Sequence, residues 1–322
     1  DGVSWTAGEP DLIVRLPDFT VLGDSPDWWG DIEATPTGLT EDRYVKSVEV
    51  REVNDYDPNE VRETVGGRFV FHHMIYSTRV TEGGNPFAPA TTWPVHEVGR
   101  NPDIFDEDGG RLLRAGTSIV SNSLHLHSNG RDTNAHMEIG FRFHPEDYEP
   151  KYRGAGVGLG NGIDIDIKSG EKDQELHAYR VLNQHTKIVT FEPHLHAPGA
   201  RMCLEAIWGF NVETLSCVGY DHNWVRGYAF ADNHQPLLPK GTVLHITGFM
   251  DNTPENTNLS DTRNWQGSGN RSVSNMFIDL GMRLTLSDEQ FQQEMADRRD
   301  ALNLNVNDHV IGCPLCMVIP GR

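Results

Sequence analysis

Short apolar runs, most of them alternating with polar residues and each closed by a cluster of Gly, Pro, Asn or Asp, leave this chain little room for long helices. Side chains alternate faces along a strand, so such runs read as strands with one buried face. In the first half the candidates are DLIVRL, YVKSVEVREV, RFVFHHMIYSTRV, TSIVSNSLHLH and HMEIGFRF. The second half repeats the style with IDIDIKSG, LHAYRVLN, KIVTFEPHLH, RMCLEAIWGF, SCVGYDHNWVRGYAFA, TVLHITGFMDN and SVSNMFIDLGMRLTL. Turns between them draw on 32 glycines and 18 prolines. The pattern predicts an all-β fold.

At 322 residues the chain exceeds what one hydrophobic core usually serves, so two domains are expected. Residues 144–162 combine Pro, charge and five glycines, the composition of a connection crossed by few contacts. The expected organisation is two antiparallel β-sandwiches, 1–158 and 159–285, followed by a segment 286–322. That segment opens with Ser287 and Gln290 spaced as a capping box, and Leu286 and Phe291 stand where a hydrophobic staple would join. A helix over 288–302 is predicted.

A formal charge of −20 repels nucleic acid and anionic membrane surfaces, which disfavours both as partners. No stretch reaches the ~18–20 apolar residues of a spanning helix, and Asp1 opens the sequence without an apolar leader. A mature, periplasmic or secreted protein is expected. Four cysteines permit two disulfides in such a compartment. Cys203 and Cys217 flank a turn near Gly209, Phe210 and Asn211, so a bridge across a hairpin is predicted. For Cys313 and Cys316, a staple holding the tail is preferred over an inter-chain bridge or a metal clip.

Three histidine clusters sit in apolar, strand-like contexts: His72 with His73, His125 with His127, and His194 with His196. Neutral imidazole is the commonest protein ligand for zinc, copper, iron and nickel, so the clusters point to a metal enzyme rather than a titrating surface. Residues two apart on a strand share a face, which lets His194 and His196, or His125 and His127, hold one ion. Pro198-Gly199 should end the strand just after His196. Adjacent His72 and His73 face opposite sides unless a β-bulge re-aims one of them. A looser pattern, Pro239, Gly241, His245 and Asn252 with Glu205, resembles the boxes of a single-metal cupin, but its spacings fit poorly.

Taken in order, HHM, HLHSNG, PHLH, LPKGTVLHITGFMDNTPEN and RNWQGSGNRSVSNM resemble the copper type II, ascorbate-dependent monooxygenases. This is the family of peptidylglycine α-hydroxylating monooxygenase and dopamine β-hydroxylase, with its bacterial relatives, and the likeness spans about residues 5–285. It implies two jelly-roll-like domains, each with one copper site, facing across a solvent-filled cleft. It implies ligands His72, His73 and His125 for the first copper, with His127 as the alternative to His125. For the second, catalytic copper it implies His194, His196 and the thioether of Met276, with Met250 and Met282 as other candidate sulfurs, Met282 being expected on the same strand face as Met276. Ascorbate or another one-electron donor would reduce both ions, and dioxygen would hydroxylate a C–H bond of a small organic substrate. Asn275 stands where the family carries an acid, and apolar Ile278 and Leu280 stand where it orients peptide substrates, so a peptide substrate is not expected. The alternative is a non-catalytic copper-binding or structural subunit that meets a protein partner through residues 286–322.

Overall fold

The computed structural model describes residues 4–57, 66–80, 89–155, 158–160, 165–269, 274–305 and 308–316. Gly156 and Gly162 of the expected connection, the start of IDIDIKSG, part of RNWQGSGNRSVSNM and the tail beyond Cys316 lie outside them. The chain is all-β and antiparallel, with one short helical extension near its end. It divides into two compact units, Asp1–Lys151 with Asn223–Arg226, and Tyr152–His222 with Gly227–Arg322. The division falls before 158 because Arg153–Ala155 are already a ladder strand on Arg283–Thr285. The glycine-rich composition of this stretch disguises the strand as a linker.

In the first unit two sheets enclose a core. One sets strands Leu12–Arg15, Thr133–Phe143, Arg43–Asn54 and Asp103–Ile104 side by side; the other sets Trp28–Pro36, Thr117–Leu126, Phe71–Val80 and Ala90–Thr92. Phe19 meets Phe71 edge-on and Trp93 meets Phe141, joining the inner faces. Strand Trp28–Pro36 is absent from the sequence expectation, since Gly30, Asp31 and Glu33 break its apolar alternation. The remaining long strands overlap the expected runs, Arg43–Asn54 exceeding YVKSVEVREV by one residue at each end and Thr133–Phe143 beginning three residues before HMEIGFRF.

In the second unit the four-stranded sheet of Gln174–Val181, Val243–Met250, Gly199–Trp208 and Asn211–Gly219 turns Ala178, Leu204, Leu244 and Ile246 into a core shared with Phe191, Leu195 and Phe277. Gly209, at φ +57°, allows the tight turn between its last two strands, and Cys203 and Cys217 stand directly opposite across that hairpin and are bridged. SCVGYDHNWVRGYAFA is not one strand: it ends at Gly219, and Asn223–Arg226 belong to the first unit.

Two other runs break as well. KIVTFEPHLH forms His185–Ile188, Thr190–Phe191 and Pro193–Leu195, each in a different sheet. SVSNMFIDLGMRLTL splits into Phe277–Asp279 and Arg283–Leu286, also in different sheets. Gly281 marks that second break; a Cβ there would lie 2.1 Å from the Thr190 carbonyl oxygen, so the chain passes where a larger residue cannot. Met282 therefore does not share a strand with Met276, contrary to the sequence expectation, and packs against a second cluster with Val189, Leu284 and Leu286.

That second cluster is also where the end of the chain is anchored. Helix Asp288–Ala301 begins with the reciprocal Ser287–Gln290 capping box and buries Phe291 and Met295. Cys313 and Cys316 are bridged and buried in the same cluster, so the preferred staple is present and the extension up to Cys316 serves the core of its own unit. Ile311 and Leu315 remain exposed.

Candidate metal centres

The ladder between strands Phe71–Val80 and Thr117–Leu126 pairs His125 with His73 but Leu126 with Phe71. One step on the second strand thus spans two on the first, and His72 is the extra residue of a β-bulge. This is the irregularity that adjacent histidines require if both are to approach one ion. The His72 ring lies 5.0 Å from those of both His125 and His127. Burial is deep: His72 is 8% and His125 1% exposed, and the Nδ1 atoms of His72, His73 and His125 are withdrawn from solvent.

Around the bulge the sheet supplies a row of residues opposite one another on four strands: Trp29, His125, His73 and Glu97. Cross-strand partners share a face, so these side chains stand together. Trp29 stacks on His125 at 4.2 Å, and His73 and Glu97 bring possible ligand atoms within 4.8 Å of each other. The His125 Nε2 lies 3.1 Å from an Asp27 carboxylate oxygen, and the His127 Nε2 lies 3.0 Å from the Phe69 carbonyl. Both acceptors favour the proton on Nε2, which leaves Nδ1 as the lone-pair nitrogen, the arrangement that fixes the tautomer of metal-binding histidines. Burial lowers the pKa of His127, which keeps it neutral. His125 has the added distinction of facing His73, whereas His127 stands outside that row.

The bulged strand is fixed at its start by Glu52, whose carboxylate accepts hydrogen bonds from the Val70 and Phe71 amides and from Asn54. Burial pushes this carboxyl up to about 7, against the pull of those donors. On the opposite face of the strand, Met74 pairs with His96, whose burial lowers its pKa to about 3. Asp27, Trp29, Glu52 and Glu97 were not singled out from sequence; their only signal is position, which pairing register supplies and spacing does not.

In the second unit Pro193–Leu195 pairs with Phe277–Asp279, placing His194 opposite Ile278 and Leu195 opposite Phe277. Leu195 and Phe277 point into the core and are fully buried. His194 and Ile278 therefore belong to the other face, and His196 and Met276 adjoin the last paired residues, Leu195 and Phe277. The two imidazoles lie 5.4 Å apart, with His194 3% and His196 7% exposed. The strand ends after Leu195, as Pro198-Gly199 predicts, and the Gly199 amide donates to the His196 carbonyl at 2.7 Å. Met250 is a buried member of the core. Asn275 has a structural role: its amide donates to Gly267 and its carbonyl accepts from Gly269.

Two imidazoles beside a thioether make a soft donor set suited to Cu(I), and clustered imidazoles without sulfur suit Cu(II) or zinc equally. His245 and Glu205, the cupin-like pair, lie on the face of their sheet opposite Leu204, Leu244 and Ile246, outside the barrel interior that reading needs. The chain matches no protein-family model and no curated protein.

Proposed function

We propose that the chain is a dicopper monooxygenase that hydroxylates a C–H bond of a small organic substrate, using dioxygen and an external one-electron donor such as ascorbate. The observation that carries this reading is the pair of buried imidazoles of His194 and His196, 5.4 Å apart at the end of a strand whose partner strand begins immediately after Met276. His194, His196 and Met276 would hold one copper; His72, His73 and His125 would hold the other. When bound, copper supplies the one-electron chemistry by which two electrons and two protons convert dioxygen and a C–H bond to an alcohol and water.

The protein's own contribution is orientation and shielding. Asp27 fixes the His125 tautomer, Trp29 covers its ring, and Glu52 holds the bulge that brings His72 beside it. Ile278 offers an apolar side chain beside His194, which favours an uncharged substrate over a peptide carboxylate. The two disulfides fit an oxidising compartment, and a periplasmic or secreted site of action follows from that reading. No helix among the described residues is long and apolar enough to cross a membrane.

Copper reconstitution followed by metal analysis tests the proposal. With Cu(I) as the probe, two coppers per chain are expected, falling by one in Met276→Ala or His194→Ala, with donor-dependent oxygen uptake abolished in both. Fewer than one copper per chain in the wild type would refute the reading. Two coppers without oxygen uptake would leave the alternative, a non-catalytic copper-binding subunit.

A further inference from the structure

A second arrangement of histidines lies on the outward face of the four-stranded sheet of the second unit. Strand Gln174–Val181 contributes Glu175, His177 and Tyr179; strand Val243–Met250 contributes His245 and Thr247; strand Gly199–Trp208 contributes Glu205. Register sets Tyr179, His245 and Glu205 in one row and His177 opposite Thr247 in the next. Their polar atoms form a chain. Glu205 Oε2 lies 2.7 Å from His245 Nδ1, His245 Nε2 lies 3.0 Å from His177 Nδ1, and His177 Nε2 lies 3.5 Å from Glu175 Oε2.

Proton bookkeeping makes this chain informative. It has three links, each needing one positive or hydrogen-bearing element between two acceptors, whereas two neutral imidazoles carry only two N–H groups. The carboxylates at both ends accept only, so they favour Nδ1–H on His245 and Nε2–H on His177. The central link is then left with two lone pairs facing each other. The outer His177–Glu175 link is the longest and most exposed of the three, so the central link is satisfied either by the His177 proton moving to Nδ1 or by a metal ion between the two nitrogens.

The geometry points to a divalent transition-metal site between His177 Nδ1 and His245 Nε2, distinct from the proposed copper centres and independent of that reading. Imidazole nitrogens bound to a tetrahedral zinc at ~2.0–2.1 Å stand about 3.4 Å apart, so the observed 3.0 Å needs an opening of only a few tenths of an ångström. The Thr247 hydroxyl lies 3.3 Å from His245 Nε2 and 3.5 Å from His177 Nδ1, completing a triangle of donor atoms with the right edges. Each histidine has its other nitrogen directed at a carboxylate, the support that fixes tautomer and raises ligand basicity in metal sites. Tyr179 stacks on His245 at 4.3 Å and holds the ring plane. The His177 side chain is 42% exposed, which leaves an entry path and room for water as a further ligand.

Zinc is the probe, and bound metal per chain is read after dialysis at fixed free zinc. His177→Gln should bind one zinc fewer than the wild type, and Glu205→Gln should bind that zinc about 10–100-fold more weakly. His194→Ala, by contrast, should leave the difference between wild type and His177→Gln unchanged. In the wild type, zinc should protect His177 from acylation by diethylpyrocarbonate, read at that residue by peptide mass. Equal zinc content in wild type and His177→Gln, or acylation of His177 unaffected by zinc, would overturn the proposal and assign the central link to a proton.

Discussion

Asp279 and Arg283 form an ion pair in which neither side chain reaches solvent. The Asp279 carboxylate also accepts from the amides of Glu192 and Gly281, at 3.0 and 2.8 Å, and Arg283 donates to the Gly281 carbonyl at 3.0 Å. The pair thereby clamps the break after Phe277–Asp279, the strand whose register places His194 opposite Ile278. Removing one partner strands the other charge in the interior, which costs about 3–5 kcal/mol. Asp279→Ala should therefore lower the stability of the second unit by that amount in urea denaturation. Copper affinity of the His194 site should fall with it, even under conditions where the protein remains folded.

Glu52 should impose a pH dependence opposite to that of most carboxylates. Its carboxyl is raised from 4.5 to about 7 in the folded protein, so the native state binds this proton more tightly than the unfolded chain does. The resulting stabilisation is fully present below about pH 4.5 and is lost as pH rises through 7, on the order of 3 kcal/mol at most. His96 acts with the other sign. Lowered to about 3, it resists protonation in the folded state and withdraws stability as pH falls below 6.5. The two are separated by comparing urea midpoints of wild type and Glu52→Gln between pH 4.5 and 8. The wild type should lose stability relative to Glu52→Gln as pH rises, and a constant difference would rule out the raised carboxyl.

Periodicity is enough to read the all-β class, the capped helix and the hairpin disulfide, because each depends on residues near in sequence. What it missed depends on partners. Strand Trp28–Pro36 has no clear alternation and is held by pairing with Thr117–Leu126, so Trp29 and its stack on His125 were invisible. The bulge at His72 could be required but not located, because register is a property of two strands. Runs such as KIVTFEPHLH looked continuous since apolar composition does not record a change of sheet. Met276 and Met282 share one apolar run for the same reason, and Gly281 is the residue that marks the break between them.

Gly99 carries a positive φ of +85°, and a Cβ there would lie 2.4 Å from the Trp224 ring. The segment Asn223–Arg226 uses that space: Trp224 packs on the glycine and the Val225 amide donates to the Val98 carbonyl at 3.1 Å. Gly99→Ala would add both backbone strain and a clash with a rigid indole, together about 1–3 kcal/mol. The expected result is a lowered unfolding midpoint and a red-shifted tryptophan emission. In a Trp224→Phe background the same substitution should leave the emission maximum unmoved, which would trace the shift to this indole.

Asp27 offers the sharpest distinction between His125 and His127 as the third ligand. Its carboxylate lies 3.1 Å from His125 Nε2 and is half exposed, so Asp27→Asn should change the hydrogen bond without disturbing the core. Loss of a carboxylate that orients a ligating histidine typically weakens metal binding by 10–100-fold, about 1.4–2.7 kcal/mol. If His125 is the ligand, copper affinity in the first unit should fall by that factor in Asp27→Asn while the second unit keeps its own. His127 answers to the Phe69 carbonyl instead, so with His127 as ligand the substitution should leave both affinities unchanged. Competitive titration with a Cu(I) chelator reads the first unit in a His194→Ala background and the second unit in a His72→Ala background.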